Sequence, residues 1–246
     1  MTKKKDDDKN LPVSYKDALA ASAQKVAQEE KPSNTFISLK GGCMSINDEP
    51  IADNQLECVV VAYATERTYY DRPYDPDDDA PPACFAQSLE NHDLIPHVNV
   101  PEPVSDKCKG CPKAEFGTAL QGKGPACKTR RKLAVMPSSY LSDPSTIGEA
   151  DIAAMAIPPT SVKNFSQYAN KVVTATGLPP WGVVTLIKVS PHPKKQFEVN
   201  FEMVGPVGDE AALAAIHQRI ESTEENLQSP YTYDQEDKPV ADSDKL

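Results

Sequence analysis

Hydrophobic and polar positions recur along this chain with two different periods, and the switches between them mark out its elements. Tyr15, Ala18, Leu19 and Val26 repeat at helical spacing from Ser14 to about Glu29, with Ser14 placed as an N-cap. Runs with a period of two follow. Thr35–Leu39 turns at Gly41-Gly42 into Cys43–Ile46. Asn47-Asp48-Glu49-Pro50 then separates that run from the longest strand pattern, Leu56–Ala64, giving the outline of a meander. Between Tyr69 and about Arg130 neither period holds, and Lys132–Met136 resumes a strand. Pro158-Pro-Thr-Ser opens a helix capped by Thr160 or Ser161. Val162, Phe165, Ala169, Val172 and Val173 form its apolar face, and Gly177 ends it. Val183–Val189 and Gln196–Val204 read as strands, with Phe197, Val199, Phe201 and Met203 on one side of the second. A last helix, roughly Asp209–Asn226, turns Leu213, Ile216 and Ile220 inward. Short strands with a helix in a long crossover predict a mostly β, α+β fold: an OB-like β-barrel with flanking helices.

The aperiodic middle is too long to stand as a bare loop in a compact domain, unless something other than apolar burial orders it. Cys84, Cys108, Cys111 and Cys127 supply that something. Their spacing is C-x23-C-x2-C-x15-C, and a C-x2-C turn lets two thiolates meet one ion with little backbone strain. Disulfides or free thiols are the other readings of the same residues. The expectation is one structural zinc ion that orders an inserted loop module over residues 69–131, polar and rich in Pro and Gly. Cys43 and Cys58 lie outside the cluster, and Cys58 in Leu-Glu-Cys-Val-Val-Val reads as a small buried residue. His92 and His97 are further candidate ligands, against the reading of ordinary loop histidines. The acidic loop from Asp71 to Asp79 lacks the spaced ligands and glycine of a calcium loop and reads as solvated.

Bulk composition limits the function classes. The chain has 246 residues, 39% of them hydrophobic, and carries a net charge of −10. No apolar run is long enough for a membrane span, and Met-Thr-Lys-Lys-Lys-Asp-Asp-Asp has no apolar signal core, so a reducing cytosol is expected. The charge is segregated. Residues 84–132 carry eight basic and five acidic side chains, a local +3 within a protein of −10. Lys123, Lys128, Arg130, Arg131 and Lys132 fall close together, against the plain reading of a solvated face. Tyr63, Tyr69 and Tyr70 flank Arg67 and Arg72, and Trp181 opens another strand. Rings beside cations suit single strands, because bases stack on rings while cations follow phosphates; each ring alone reads equally well as packing. Residues 1–13 form a charged tail expected to be disordered. Residues 14–228 form the core domain. Residues 229–246 continue an acidic end, expected to be disordered beyond Ser229, in which eight acids and two lysines follow position 220. Catalytic signatures are missing: the chain has no G-x-S-x-G, P-loop, H-E-x-x-H or H-x-E…P-C-x-x-C.

The order Phe36-Ile-Ser-Leu-Lys-Gly-Gly, Cys84, Lys107-Cys-Lys-Gly-Cys-Pro, Phe116-Gly, Gly124-Pro-Ala-Cys-Lys-Thr-Arg-Arg-Lys-Leu-Ala and Pro158-Pro-Thr-Ser-Val-Lys resembles bacteriophage single-stranded DNA-binding proteins of OB type with an embedded zinc element. The likeness spans about residues 35–205. It implies an accessory of phage replication or recombination in the cytoplasm of the infected bacterial host, with the four cysteines as ligands. Phe85 stands where that family has Trp. A non-catalytic single-stranded DNA binder is therefore expected, its acidic tail contacting phage replication proteins or its own basic surface. The alternative is a zinc-containing protein–protein adaptor that docks a polymerase or other replication partner. A zinc enzyme acting on nucleic acid is the third reading, and an all-thiolate site leaves it no open position for water or substrate.

Overall fold

The structure, a computed structural model, describes residues 35–73, 80–90, 94–120 and 122–233. The helix expected over 14–29, the tail of residues 1–13, His92, most of the acidic loop and the chain beyond Tyr233 lie outside the described residues. Nine strands occur among those described: β1 (Phe36–Ser38), β2 (Ser45–Ile46), β3 (Glu49–Pro50), β4 (Gln55–Tyr69), β5 (Cys84–Ser88), β6 (Lys128–Pro137), β7 (Ala153–Ile157), β8 (Val183–His192) and β9 (Gln196–Pro206). Two α-helices accompany them, α1 (Val162–Thr176) and α2 (Glu210–Leu227). The strands join one sheet in the order β3-β2-β1-β7-β6-β4-β8-β9, with β5 on the end of β4. That sheet curls into a half-barrel, so the fold is mostly β with few helices. No helix among the described residues is long and apolar enough to cross a membrane.

β4 is the spine, and it runs further than the Leu56–Ala64 pattern predicts. Its start pairs with β8 and its end with β5, while β6 pairs along the other side from Cys58 to Thr68. A bulge between Val60 and Ala62 shifts its phase. Before the bulge, Cys58 and Val60 face the main core; after it, Tyr63 does, and Ala62 and Ala64 face the opposite side. β5, part of β6 and β7 replace much of what reads as irregular chain. β1 and β7 pair in parallel, so the meander is interrupted there.

The main core gathers Ile37, Val60, Leu133, Met155, Ile187 and Val199 under α1. Phe165, Tyr168 and Val172 are the buried residues of α1, whereas Val173, expected inward, is 51% exposed. The buried Tyr168 hydroxyl is paired with Thr185 Oγ1, as burial of a polar group requires. Ser161 stands at the N-cap position, but its hydroxyl makes no cap bond. It accepts the Val199 amide at 2.9 Å instead, fastening α1 to β9. Gly177 ends α1 in the left-handed conformation (φ 73°), as the sequence predicts. α2 covers the other face of the sheet, where Ala212 and Ile216 pack with Val59, Val61 and Met136. Asp209 caps it by accepting the Ala211 and Ala212 amides at 2.7 and 3.1 Å. The Gly41-Gly42 turn meets β9. A Cβ on Gly42 would lie 3.2 Å from Phe197 Cβ, at a φ of +79° that already favours glycine.

Candidate metal centre and nucleic-acid interface

Side chains alternate between the faces of a strand, and this decides the site. On β4 and β5 the face continuous with the main core carries Tyr63, Thr65, Arg67 and Tyr69 with Cys84 and Ala86. The opposite face carries Glu66 and Thr68 with Phe85 and Gln87, as the β4–β5 register requires. Cys84 therefore turns to one side of the sheet and Phe85 to the other.

On the first side the four cysteines converge. Cys84, Cys108, Cys111 and Cys127 line one cavity of about 20 Å³ together with Arg67, Tyr69, Lys107 and Lys113. A space of that size suits a single small occupant. None of the six cysteines is paired in a disulfide; Cys58 is buried and Cys43 exposed. Among the described residues no group of three or more His, Cys, Asp or Glu side chains is set out as a ready-made ion site, these four included. The thiols are nonetheless near enough to act on one another. Burial first, then neighbouring charges including Cys84 and Cys111, push Cys108 above the ordinary thiol range, and Arg67 opposes the shift. Burial raises Cys127 to about 11, again against Arg67. Burial also raises Cys84.

Arg67 donates from Nη1 to the Cys108 carbonyl at 2.9 Å, and its buried Nε has no hydrogen-bond partner. Four sulfur donors with a guanidinium beside them suit a thiophilic divalent ion, because four thiolates around a 2+ charge leave a net negative shell that a cation stabilises. The loop is built around these residues: the Cys108 amide bonds the Leu94 carbonyl at 3.0 Å, and the Cys127 amide bonds the Lys113 carbonyl at 2.7 Å. His97 belongs elsewhere. Its ring stacks on Phe85 at 4.8 Å, and its Nδ1 accepts the Asn99 amide.

The basic residues of β6 are divided rather than pooled. β6 begins at Lys128, so Arg131 faces the main-core side, opposite Thr65, while Lys128, Arg130 and Lys132 lie opposite Thr68, Glu66 and Ala64. Arg131 is only 6% exposed; its guanidinium bonds Thr65 Oγ1, and burial lowers its pKa. The single basic patch expected from Lys123 to Lys132 is thus split by the pleat. Arg67, expected at a nucleic-acid surface, turns instead to the thiols. Trp181 packs in the cluster under α2, edge-on to His217 at 5.7 Å, apart from the β4 tyrosines. Tyr63 is half-buried, edge-on to Phe165 at 5.1 Å. At the strand end Tyr70 is 37% exposed beside Arg72, while Tyr69 is half-buried under Lys113 at the rim of the thiol cavity.

Sequence reasoning missed two groups. The first is the start of the acidic tail, expected to be disordered from Ser229 on. Tyr231 and Tyr233 pack around Phe85 at 4.9 and 6.3 Å. The Tyr231 hydroxyl donates to Glu66 Oε1 at 3.2 Å, and the Tyr233 hydroxyl to the Pro82 carbonyl at 2.7 Å. Glu66 is 3% exposed. The same oxygen also receives Gln87 Nε2 at 3.0 Å and faces Lys132 Nζ at 3.7 Å, so this buried charge is neutralised. Burial, then the Glu66 carboxylate, push the Tyr231 hydroxyl above its ordinary range, and burial raises Tyr233 to about 12. The alternation of tyrosines in Tyr231-Thr-Tyr233 is the signal that could have shown an extended, docked segment. The second group is the loop around Phe116, which is 86% exposed. A separate groove of about 520 Å³ runs between α1 and β9, lined by Asn164, Gln167, Lys171, Asn200, Phe201 and Met203 among others; none of the expected site residues lines it.

The chain matches no protein-family model, no curated protein and no solved structure.

Proposed function

We propose that this protein is a non-catalytic single-stranded DNA-binding protein of phage replication or recombination, with little sequence preference. In this reading the half-barrel is OB-like, and Cys84, Cys108, Cys111 and Cys127 hold one structural zinc ion. The ion contributes no chemistry to a substrate; it fixes the backbone of the basic loop. Arg67 offsets the charge of the sulfur shell. Lys113, Lys123, Lys128, Arg130 and Arg72 meet phosphates, and Tyr69 and Tyr70 offer rings to bases. The observation that carries the reading is the placing of the cation–ring pairs. Lys113 lies on Tyr69 at 5.0 Å and Arg72 on Tyr70 at 5.9 Å, both at the end of β4, while the third pair among the described residues, Arg131 on Tyr63 at 5.8 Å, belongs to the core face. Single strands are held by that pairing of ring and cation.

Fluorescence anisotropy with a labelled oligothymidylate, read across a salt series on zinc-loaded protein, tests it. Affinity should fall with salt, with a slope of about −0.7 per phosphate contacted. Absence of binding below roughly 100 μM at low salt would end the reading, since even non-specific binding is usually at least that tight.

Two truncations separate the roles of the tail. Residues 234–246 carry five acids and two lysines. Cutting after Tyr233 keeps the tyrosine anchors and should tighten DNA binding most at low salt, because it removes a polyanion tethered beside Arg130 and Tyr70. Cutting after Gln228 also uncovers Phe85 and Glu66. That second cut should cost about 2 kcal/mol and lower the melting temperature by about 4–8 °C. Calorimetry on the two truncated chains checks the difference.

The adaptor reading has one observation in its favour: Ile95 and Val98, beside the thiol loop, stand 60% and 90% exposed. It predicts a protein partner that survives loss of DNA binding.

A further inference from the structure

The loop between the second and third cysteine blocks of the module is built to hold an aromatic ring out in water. Gly117 takes a φ of 87° with open space around it, so the glycine serves the turn rather than a close contact. Its amide is shared between the Lys123 and Gly124 carbonyls at 3.1 and 3.2 Å, and the Ala119 amide reaches the Gly124 carbonyl at 3.1 Å. Thr118 Oγ1 accepts the Ala126 amide at 2.9 Å and lies 2.7 and 3.2 Å from the Glu115 and Lys113 carbonyls, to which it can donate. The turn is thus tied on both sides. Within this tied turn Phe116 and Leu120 are 86% and 62% exposed, two large apolar side chains left uncovered close together in the chain.

The surroundings say what covers the ring. Lys113 and Lys123 are bonded into the same turn through their carbonyls, and Lys128 Nζ lies 3.3 Å from where a Cβ on Gly124 would stand. From Lys107 to Lys128, the stretch that holds the turn, the chain carries five basic residues and one acid, Glu115. An apolar ring among cations is complementary to a base flanked by phosphates, whereas a hydrophobic protein groove would have to desolvate those lysines.

We propose that Phe116 is a base-stacking residue: the turn that carries it inserts its ring between bases of a single strand, with Leu120 in the same turn and Lys113, Lys123 and Lys128 on the flanking phosphates. This rests on the DNA-binding reading above and names a contact outside the tyrosines of β4.

The test uses the full chain, loaded with zinc, and the same oligothymidylate. Phe116→Ala should weaken binding about 5- to 150-fold, the cost of one lost base stack. The salt slope should stay unchanged, because no phosphate contact is removed. Phe116→Trp should bind like the wild type. In a Trp181→Phe background its indole emission should be quenched as oligonucleotide is added, which reads stacking independently of affinity. If the wild type binds DNA and Phe116→Ala binds equally well, with no quenching of the tryptophan variant, the stacking role is overturned and the general reading survives. If the wild type does not bind, both fail. If Phe116→Ala loses a protein partner but keeps its DNA affinity, the loop is a protein-docking tip and the proposal is wrong.

Discussion

The triple variant Lys123→Glu, Lys128→Glu, Arg130→Glu should lose roughly 100-fold or more in affinity for single strands at low salt, with the salt slope reduced by about 2. The choice of residues follows from the pleat of β6. Arg131 sits on the other face, buried at 6% exposure and bonded to Thr65, so reversing it would break the fold and say nothing about DNA. Lys132 is also excluded. Its ammonium stands 3.7 Å from the buried Glu66 carboxylate, and a glutamate there would set two acids against each other. The three chosen side chains are partly or fully exposed, and their loss should leave the melting temperature within a few degrees of wild type, since surface charges contribute little to stability. Unchanged DNA affinity in a folded triple variant would show that this face is not the phosphate track and would favour the adaptor reading.

On the proposed zinc reading, removal of the ion should have the larger structural effect. Chelation is expected to release the chain between β5 and β6 from the sheet, because among its described residues few apolar side chains are buried; Val100 is one. Structural zinc supplies about 10–16 kcal/mol in small thiolate modules, against a whole-domain stability of about 5–15 kcal/mol. The stripped protein should therefore be cut rapidly by trypsin at Lys107, Lys109, Lys113 and Lys123, and its DNA affinity should drop with the basic loop displaced. Arg67 adds to the effect, since without a metal-thiolate partner a half-buried guanidinium stands beside neutral thiols. Limited proteolysis before and after chelation reads this directly. An unaltered cleavage pattern would mean that hydrogen bonds and packing alone order the loop.

How far the sequence could be read depended on how many faces of each element carry the core. α1, α2, β8 and β9 have one apolar face each, and their periodicity placed them within a few residues. β4 was cut short at Ala64 because Thr-Glu-Arg-Thr-Tyr has no apolar face to display. Its main-core side is taken up by the thiol loop, and its other side holds Glu66 against Tyr231, Gln87 and Lys132. β7, Ala-Ala-Met-Ala-Ile, hides behind the low strand propensity of alanine. That Cys84, Cys108, Cys111 and Cys127 share one cavity was legible from their spacing. The division of Lys128, Arg130 and Lys132 from Arg131 was not, because it depends on the strand starting at Lys128 rather than at Lys132, and edges are what a single sequence places worst. Ser161 gave the helix start correctly but for another bond, since its hydroxyl holds β9. The tyrosine anchors were lost inside a segment whose charge predicted disorder.

Elemental analysis of the purified, unchelated protein, paired with thiol titration before and after denaturation, decides whether the four clustered sulfurs share one ion. About one zinc per chain is expected, with Cys84, Cys108, Cys111 and Cys127 protected until the metal is displaced and Cys43, which is exposed, reactive at once. A metal-free protein whose four clustered thiols react in the native state would contradict it.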